Sequence, residues 1–297
     1  MTKRGFTRFT GIGAAALACC LLLAFWAGMR IHNAGASRAV SSAVLTQRPA
    51  QAVRQSGGER SRGPGMRAVA ASLGSCEARL ERGPRQIPTV AIVGASYTAG
   101  VGPDNPALSW AVGLARLLHW NAVIDGVPGA GYVRASSSGR GPMSHMLADE
   151  ALRGLNPALV IVQSGHDDVG VPAGLERRQV EAAVHQIMTA APGARIALVT
   201  TFASTPNGTP ALWDTDRAIV AAGIAADPQA VVMDPLAGRW AFQHAGGGLH
   251  PTAAGDAWIA RTVAGLLLAH GIRPAPEIGT APVICDESVG VGKPVTA

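Results

Sequence analysis

Cysteine, charge and aromatic side chains are all scarce in this chain. Only four cysteines occur in 297 residues, and Cys19 and Cys20 lie inside an apolar run near the N-terminus. The other two, Cys76 and Cys285, fit no zinc-ligand spacing, which argues against a structural zinc fold. The glycine-rich stretch from Gly94 to Gly102 is not G-x-G-x-x-G, and the next strand-end acid, Asp125, stands too far on for a dinucleotide fingerprint. His166, Asp167 and Asp168 find no further matching ligands elsewhere, so no metal is expected. No internal repeat is present.

Basic charge is abundant, but it is misplaced for a nucleic-acid binder. Residues 1–85 hold 13 basic and 3 acidic side chains, whereas residues 86–297 hold 12 basic and 16 acidic ones. The net +6 therefore belongs to the N-terminal third, and the folded part is acidic, so no nucleic-acid partner is expected. Lys3, Arg4 and Arg8 precede the uncharged stretch Ile12 to Met29, with Ala34-Gly35-Ala36 behind it. A basic n-region, an apolar run and small residues mark residues 1–36 as an export signal or a membrane anchor. Residues 37–85 are rich in Ser, Arg, Gly, Gln and Pro and carry no aromatic residue. Such a composition buries too little apolar surface to offset its ordering entropy and reads as a flexible basic linker. It either associates with anionic membrane or cell-wall polymer or is simply solvated. In an exported protein, Cys76 and Cys285 form the expected disulfide, joining the two ends of the fold.

From Ile87 onward short apolar runs alternate with helical stretches. Strands are expected at Thr89–Val93, Ala122–Asp125, Leu159–Gln163, Ile196–Thr200 and Val231–Asp234. Helices are expected at Leu108–His119, Met143–Arg153, Leu175–Ala190, Leu212–Ala226 and Ala253–His270. Nearly continuous apolar strands are those covered on both faces, and strand–helix alternation at this interval builds βαβ units. The expected fold is α/β, a doubly wound five-stranded parallel sheet in one domain over 86–275, followed by a C-terminal tail, 276–297.

The polar residues that carry chemistry then fall at strand carboxyl ends, where open α/β sheets build their sites. Gly94-Ala95-Ser96-Tyr97-Thr98 follows the first strand, Gly126-Val127-Pro128-Gly129 the second, and Ser164-Gly165-His166-Asp167-Asp168 the third. Gly248-Leu249-His250-Pro251 precedes the last helix. A serine hydroxyl is inert without an adjacent base, so a serine on a small-residue turn with an imidazole delivered to it is the minimum kit for acyl transfer.

The order and spacing of these four blocks resemble the SGNH (GDSL-type) hydrolases, esterases, lipases and carbohydrate deacetylases on a flavodoxin-like, three-layer α/β/α fold. The resemblance covers essentially all of 87–270. It implies Ser96 as nucleophile, His250 as general base, and backbone N–H groups of Ser96 and Gly129 as oxyanion-hole donors, with Asp167 at the third donor position. Asp168 is implied as a structural hydrogen-bond acceptor near the site. No cofactor is implied, and the substrate would be a small ester, a lipid or an acylated glycan outside the cytoplasm. Three positions depart from the pattern. Ala95 replaces the aspartate beside the nucleophile, Asp167 replaces an asparagine, and Gly247 stands where an acid normally orients the histidine. An ionised Asp167 would repel an oxyanion, so it serves only if protonated or else turns away. A backbone carbonyl or another carboxylate must hold His250. A second expectation is therefore a catalytically impaired SGNH-fold protein that binds cell-envelope glycan.

Overall fold

The structure, a computed structural model, describes residues 78–80, 87–103, 105–152, 154–205, 207–277, 279 and 281–288. The expected export segment, most of the expected linker and Cys76 lie outside them. Among the described residues no helix is long and apolar enough to cross a membrane.

Six parallel strands form one sheet in the order β5-β4-β3-β1-β2-β6. They are β1 (Thr89–Gly94), β2 (Asn121–Gly126), β3 (Leu159–Gln163), β4 (Arg195–Val199), β5 (Val231–Met233) and β6 (Ile284–Asp286). The helices are α1 (Trp110–Leu118), α2 (Met143–Met146, running on through a wider turn over Leu147–Ala151), α3 (Ala173–Ala190), α4 (Pro210–Ala226) and α5 (Ala253–Ala269). Because successive strand residues point to opposite faces, β1 divides its apolar run between two cores. Val90 and Ile92 pack with α1 and α5, including Trp110, Leu114, Ile259 and Val263. Ala91 and Val93 pack with α2, α3 and α4, including Met143, Val184 and Ile219. The result is a three-layer α/β/α arrangement. Each fully buried Val or Ile in the central strands contributes about 1.5–3 kcal/mol relative to exposure.

The sheet has one strand more than expected. β6 comes from the segment expected to be tail and extends the sheet beyond β2, with Ala122 opposite Ile284 and Val123 opposite Cys285. Three residues are too few for a periodic signal; side-chain-to-backbone hydrogen bonds at both ends of the β2–β6 pair hold them in the sheet. Asn121 Oδ1 accepts from Val283 N at 2.9 Å, and Ser288 Oγ accepts from Gly126 N at 3.0 Å. Cys285, buried in β6, is disulfide-bonded. The β2 end also carries an ion pair, with Arg140 Nη2 donating to both Asp125 oxygens at 3.0 and 2.9 Å.

Close backbone approach fixes the turn after β1. A Cβ on Gly126 would lie 2.3 Å from Ala99 N, and one on Gly94 would lie 2.2 Å from Thr98 Oγ1. Only glycine lets this turn settle on the ends of β1 and β2.

Candidate active site

The turn after β1 is anchored on both sides. Ala95 N donates to Gln163 O at 3.1 Å, Val127 N to Gly94 O at 2.8 Å, and Thr98 Oγ1 to Gln163 Oε1 at 2.9 Å. Every residue from Val90 to Gly100 is buried except Ser96. The turn therefore presents one hydroxyl to solvent from an otherwise closed segment.

His250 reaches that hydroxyl from 154 residues away, with Nε2 2.9 Å from Ser96 Oγ. For Nε2 to accept from the serine, Nδ1 must carry the imidazole proton. Burial, followed by the nearby His166 charge, lowers the pKa of His250 below the ordinary 6.5. Both causes favour the neutral imidazole, the form a general base requires. Among the described residues no carboxylate contributes to this shift. Gly247 is exposed, has φ +100, and has no atom within 4 Å of the place its Cβ would occupy.

The second block follows β2. Gly129 has φ +84, a backbone conformation that glycine adopts freely. Among the described residues, neither Ser96 N nor Gly129 N donates to a backbone carbonyl or side chain. These two N–H groups thus follow the ends of β1 and β2 without a protein acceptor.

The third block forms a 3₁₀ turn, His166–Asp168, after β3. Asp168 is buried and accepts from Tyr132 N at 2.5 Å, Val133 N at 3.3 Å and Arg134 N at 3.0 Å. It therefore ties the third block to the loop that follows Gly129. Gly131 makes room for it, since a Cβ there would lie 2.2 Å from Asp168 Oδ1. Asp167 is half-buried, and its backbone carbonyl accepts from Arg134 Nη1 at 2.9 Å. Burial raises the pKa of its carboxyl above the usual carboxylate range, against an opposing pull from His166. Burial, followed by the charges of Asp256 and Asp167, raises the pKa of the Tyr97 hydroxyl. His166 Nδ1 lies 3.3 Å from Phe202 O, so Nδ1 is the donor. Among the described residues no group of three or more His, Cys, Asp or Glu side chains is placed to hold a metal.

Three contributors escaped the sequence reading. Tyr97 donates its hydroxyl to the Leu249 carbonyl, beside His250. Glu176, in the first turn of α3, is buried against Asp168. Asp256, in the first turn of α5, accepts from Trp110 N at 2.9 Å, and burial pushes its carboxyl up to about 8. Tyr97 sits inside a recognised block, which was the one available clue; the two acids have only helical sequence context.

A doubly wound parallel sheet with a hydrogen-bonded Ser–His pair and free backbone donors at its strand carboxyl ends defines the class: an α/β fold with a hydrolase-type site. A family model described as GDSL-like Lipase/Acylhydrolase family matches residues 92–258. The chain belongs to that family, the SGNH/GDSL hydrolases. Among solved structures, a carbohydrate esterase family 2 enzyme with a carbohydrate binding domain from Corynascus thermopiles (Myceliophthora fergusii) matches at 20% identity and TM-score 0.52, over 63% of this chain and 67% of that one. Est24, a carbohydrate acetylesterase from Sinorhizobium meliloti, matches at 16% and 0.51, over 61% of this chain and 99% of that one. An M. smegmatis aryl esterase matches at 17% and 0.50, again over 61% and 99%. At these identities the likeness concerns the fold. The chain spans 65% of the length of a Clostridium thermocellum family two carbohydrate esterase whose active-site mutant matches at 14% and 0.50 over 63% of this chain. No curated protein sequence matches.

Proposed function

We propose that this protein is an exported serine esterase that cleaves a small ester, an O-acetylated glycan or an envelope lipid, through a covalent acyl-Ser96 intermediate. The observation that carries the reading is the 2.9 Å bond between His250 Nε2 and Ser96 Oγ. In the first step His250 Nε2 takes the hydroxyl proton as Ser96 Oγ bonds to the acyl carbon. The carbonyl electrons move onto oxygen, and Ser96 N–H and Gly129 N–H receive the charge. Collapse breaks the bond to the alcohol, which leaves with the proton from His250. Water then repeats the sequence in reverse, releasing the acid and restoring Ser96. Asp167, in protonated form, supplies the third donor in place of the family's asparagine, an arrangement open to a carboxylic acid kept neutral by its surroundings.

Export rests on the basic and apolar pattern of residues 1–36, and the basic segment to residue 85 associates with membrane or wall polymer. Cys76 is the partner of Cys285. The glycan part of the reading draws on the neighbours: one is a carbohydrate acetylesterase, and a family two esterase was solved with cellohexaose.

A fluorophosphonate probe tests the reading. The full chain should become labelled and release acetate from p-nitrophenyl acetate, and Ser96→Ala should abolish both. The glycan-binding alternative is favoured by the absent acids at 95 and 247. Folded protein that binds oligosaccharide but is neither labelled nor active would establish that alternative and overturn the esterase reading.

A further inference from the structure

A histidine that works without an acid still has to be held in place. The segment carrying His250 is pinned by its own backbone. His244 and Pro251 form an antiparallel bridge, Ala245 N donates to His250 O at 2.8 Å, and Thr252 N donates to Gln243 O at 2.9 Å. At its centre, the Leu249 carbonyl accepts from two side chains, the Tyr97 hydroxyl and His244 Nδ1, the latter at 3.3 Å.

We propose that this clamp on the Leu249 carbonyl, with Tyr97 as its main arm, orients His250 toward Ser96 in place of the missing acid. The inference rests on the serine-esterase reading for its kinetic consequence but not for its geometry. Tyr97 follows Ser96 directly, so the nucleophile's neighbour grips the base's neighbour. One rigid residue thereby sets the separation of the two reacting groups. Tyr97 is itself immobilised: its buried ring stacks on Phe202 at 4.4 Å and 18°, with Phe242 edge-on at 6.5 Å. The same ring stands 5.4 Å from the His250 imidazole at 54° and limits its swing on that side. A triad acid orients the imidazole, selects its tautomer and stabilises the imidazolium. Tyr97 touches only backbone and ring face, so it supplies orientation alone. It is a positioning residue.

Tyr97→Phe removes the hydroxyl and keeps the stacked ring. In the full chain, turnover of p-nitrophenyl acetate should fall about tenfold, with KM within about twofold, as a misaligned base slows the step after binding. A second readout needs no turnover: carbethoxylation of His250 by diethyl pyrocarbonate, followed by peptide mass spectrometry. Loss of the clamp frees Nε2 from Ser96, so modification should run at least threefold faster in Tyr97→Phe than in the parent. His244→Ala removes the second donor at a half-exposed position and should shift that rate in the same direction, deciding the matter if Tyr97→Phe does not fold. Unchanged modification of His250 in folded variants overturns the proposal. A parent protein that neither turns over nor takes the fluorophosphonate probe overturns the esterase reading, while the modification rates still decide the clamp.

Discussion

Replacing Glu176 by glutamine should stabilise the protein increasingly as pH rises. Glu176 is buried in the first turn of α3, with no hydrogen-bond partner of good geometry among the described residues. Burial, reinforced by the neighbouring Asp168, pushes its carboxyl up to about 9 from an ordinary 4.5. The folded state therefore keeps a proton that the unfolded chain gives up from about pH 4.5. The stability this group contributes is full below that value and is lost as pH climbs toward 9. The slope is about 1.4 kcal/mol per pH unit, or about 3 kcal/mol between pH 4.5 and 7. That is a large share of the 5–15 kcal/mol typical of a domain. Glutamine has nothing to titrate. Asp256, at about 8, and Asp125, raised to about 6 by burial despite Arg140, tilt stability in the same direction. Both are common to the two proteins and cancel in the difference. Urea denaturation followed by circular dichroism at pH 5, 6, 7 and 8 should show the glutamine variant gaining steadily over the parent. Parallel stability curves across that range would refute the burial argument.

Two further outcomes concern the site. The lowered His250 pKa keeps the base neutral under mildly acidic conditions, so the acid limb of kcat/KM should have its midpoint below 6.5. His166→Gln should move that midpoint upward by removing a neighbouring positive charge; a limb that ignores His166 would disprove the electrostatic link. On the proposed mechanism an ionised Asp167 repels the oxyanion, so in the parent kcat should fall as pH rises through the titration of this carboxyl, which burial raises above the usual carboxylate range. Asp167→Asn should remove this decline and raise kcat on the alkaline side of that titration by up to ~10², the scale of one oxyanion donor. An asparagine variant slower than the parent at every pH would show that Asp167 does not serve as a donor.

Much of the fold can be read from local pattern. The apolar runs of β1 and β3 and the small-residue blocks behind them are short-range signals, and β3 begins and ends where its run does, at Leu159 and Gln163. The five expected helices all occur, although Met143–Arg153 is divided between a short α-helix and a wider turn. β6 was illegible because a three-residue edge strand owes its existence to Asn121, Ser288 and the open side of β2.

The sequence by itself determined the candidate chemistry. Ser96 lies on a turn of small residues, Gly129 where the backbone needs positive φ, and His250 just before a helix; each follows from local residue type and spacing. It also showed that no acid stands at position 247. Tertiary structure alone decided how that gap is met and which acids matter. Tyr97 and Leu249 are 152 positions apart, Asp168 holds a loop more than thirty residues away, and the Glu176 carboxyl is pushed up only by burial among the side chains packed around it. Such effects depend on burial and on contacts between distant segments, and both come into being only when the sheet closes its two layers of helices around them.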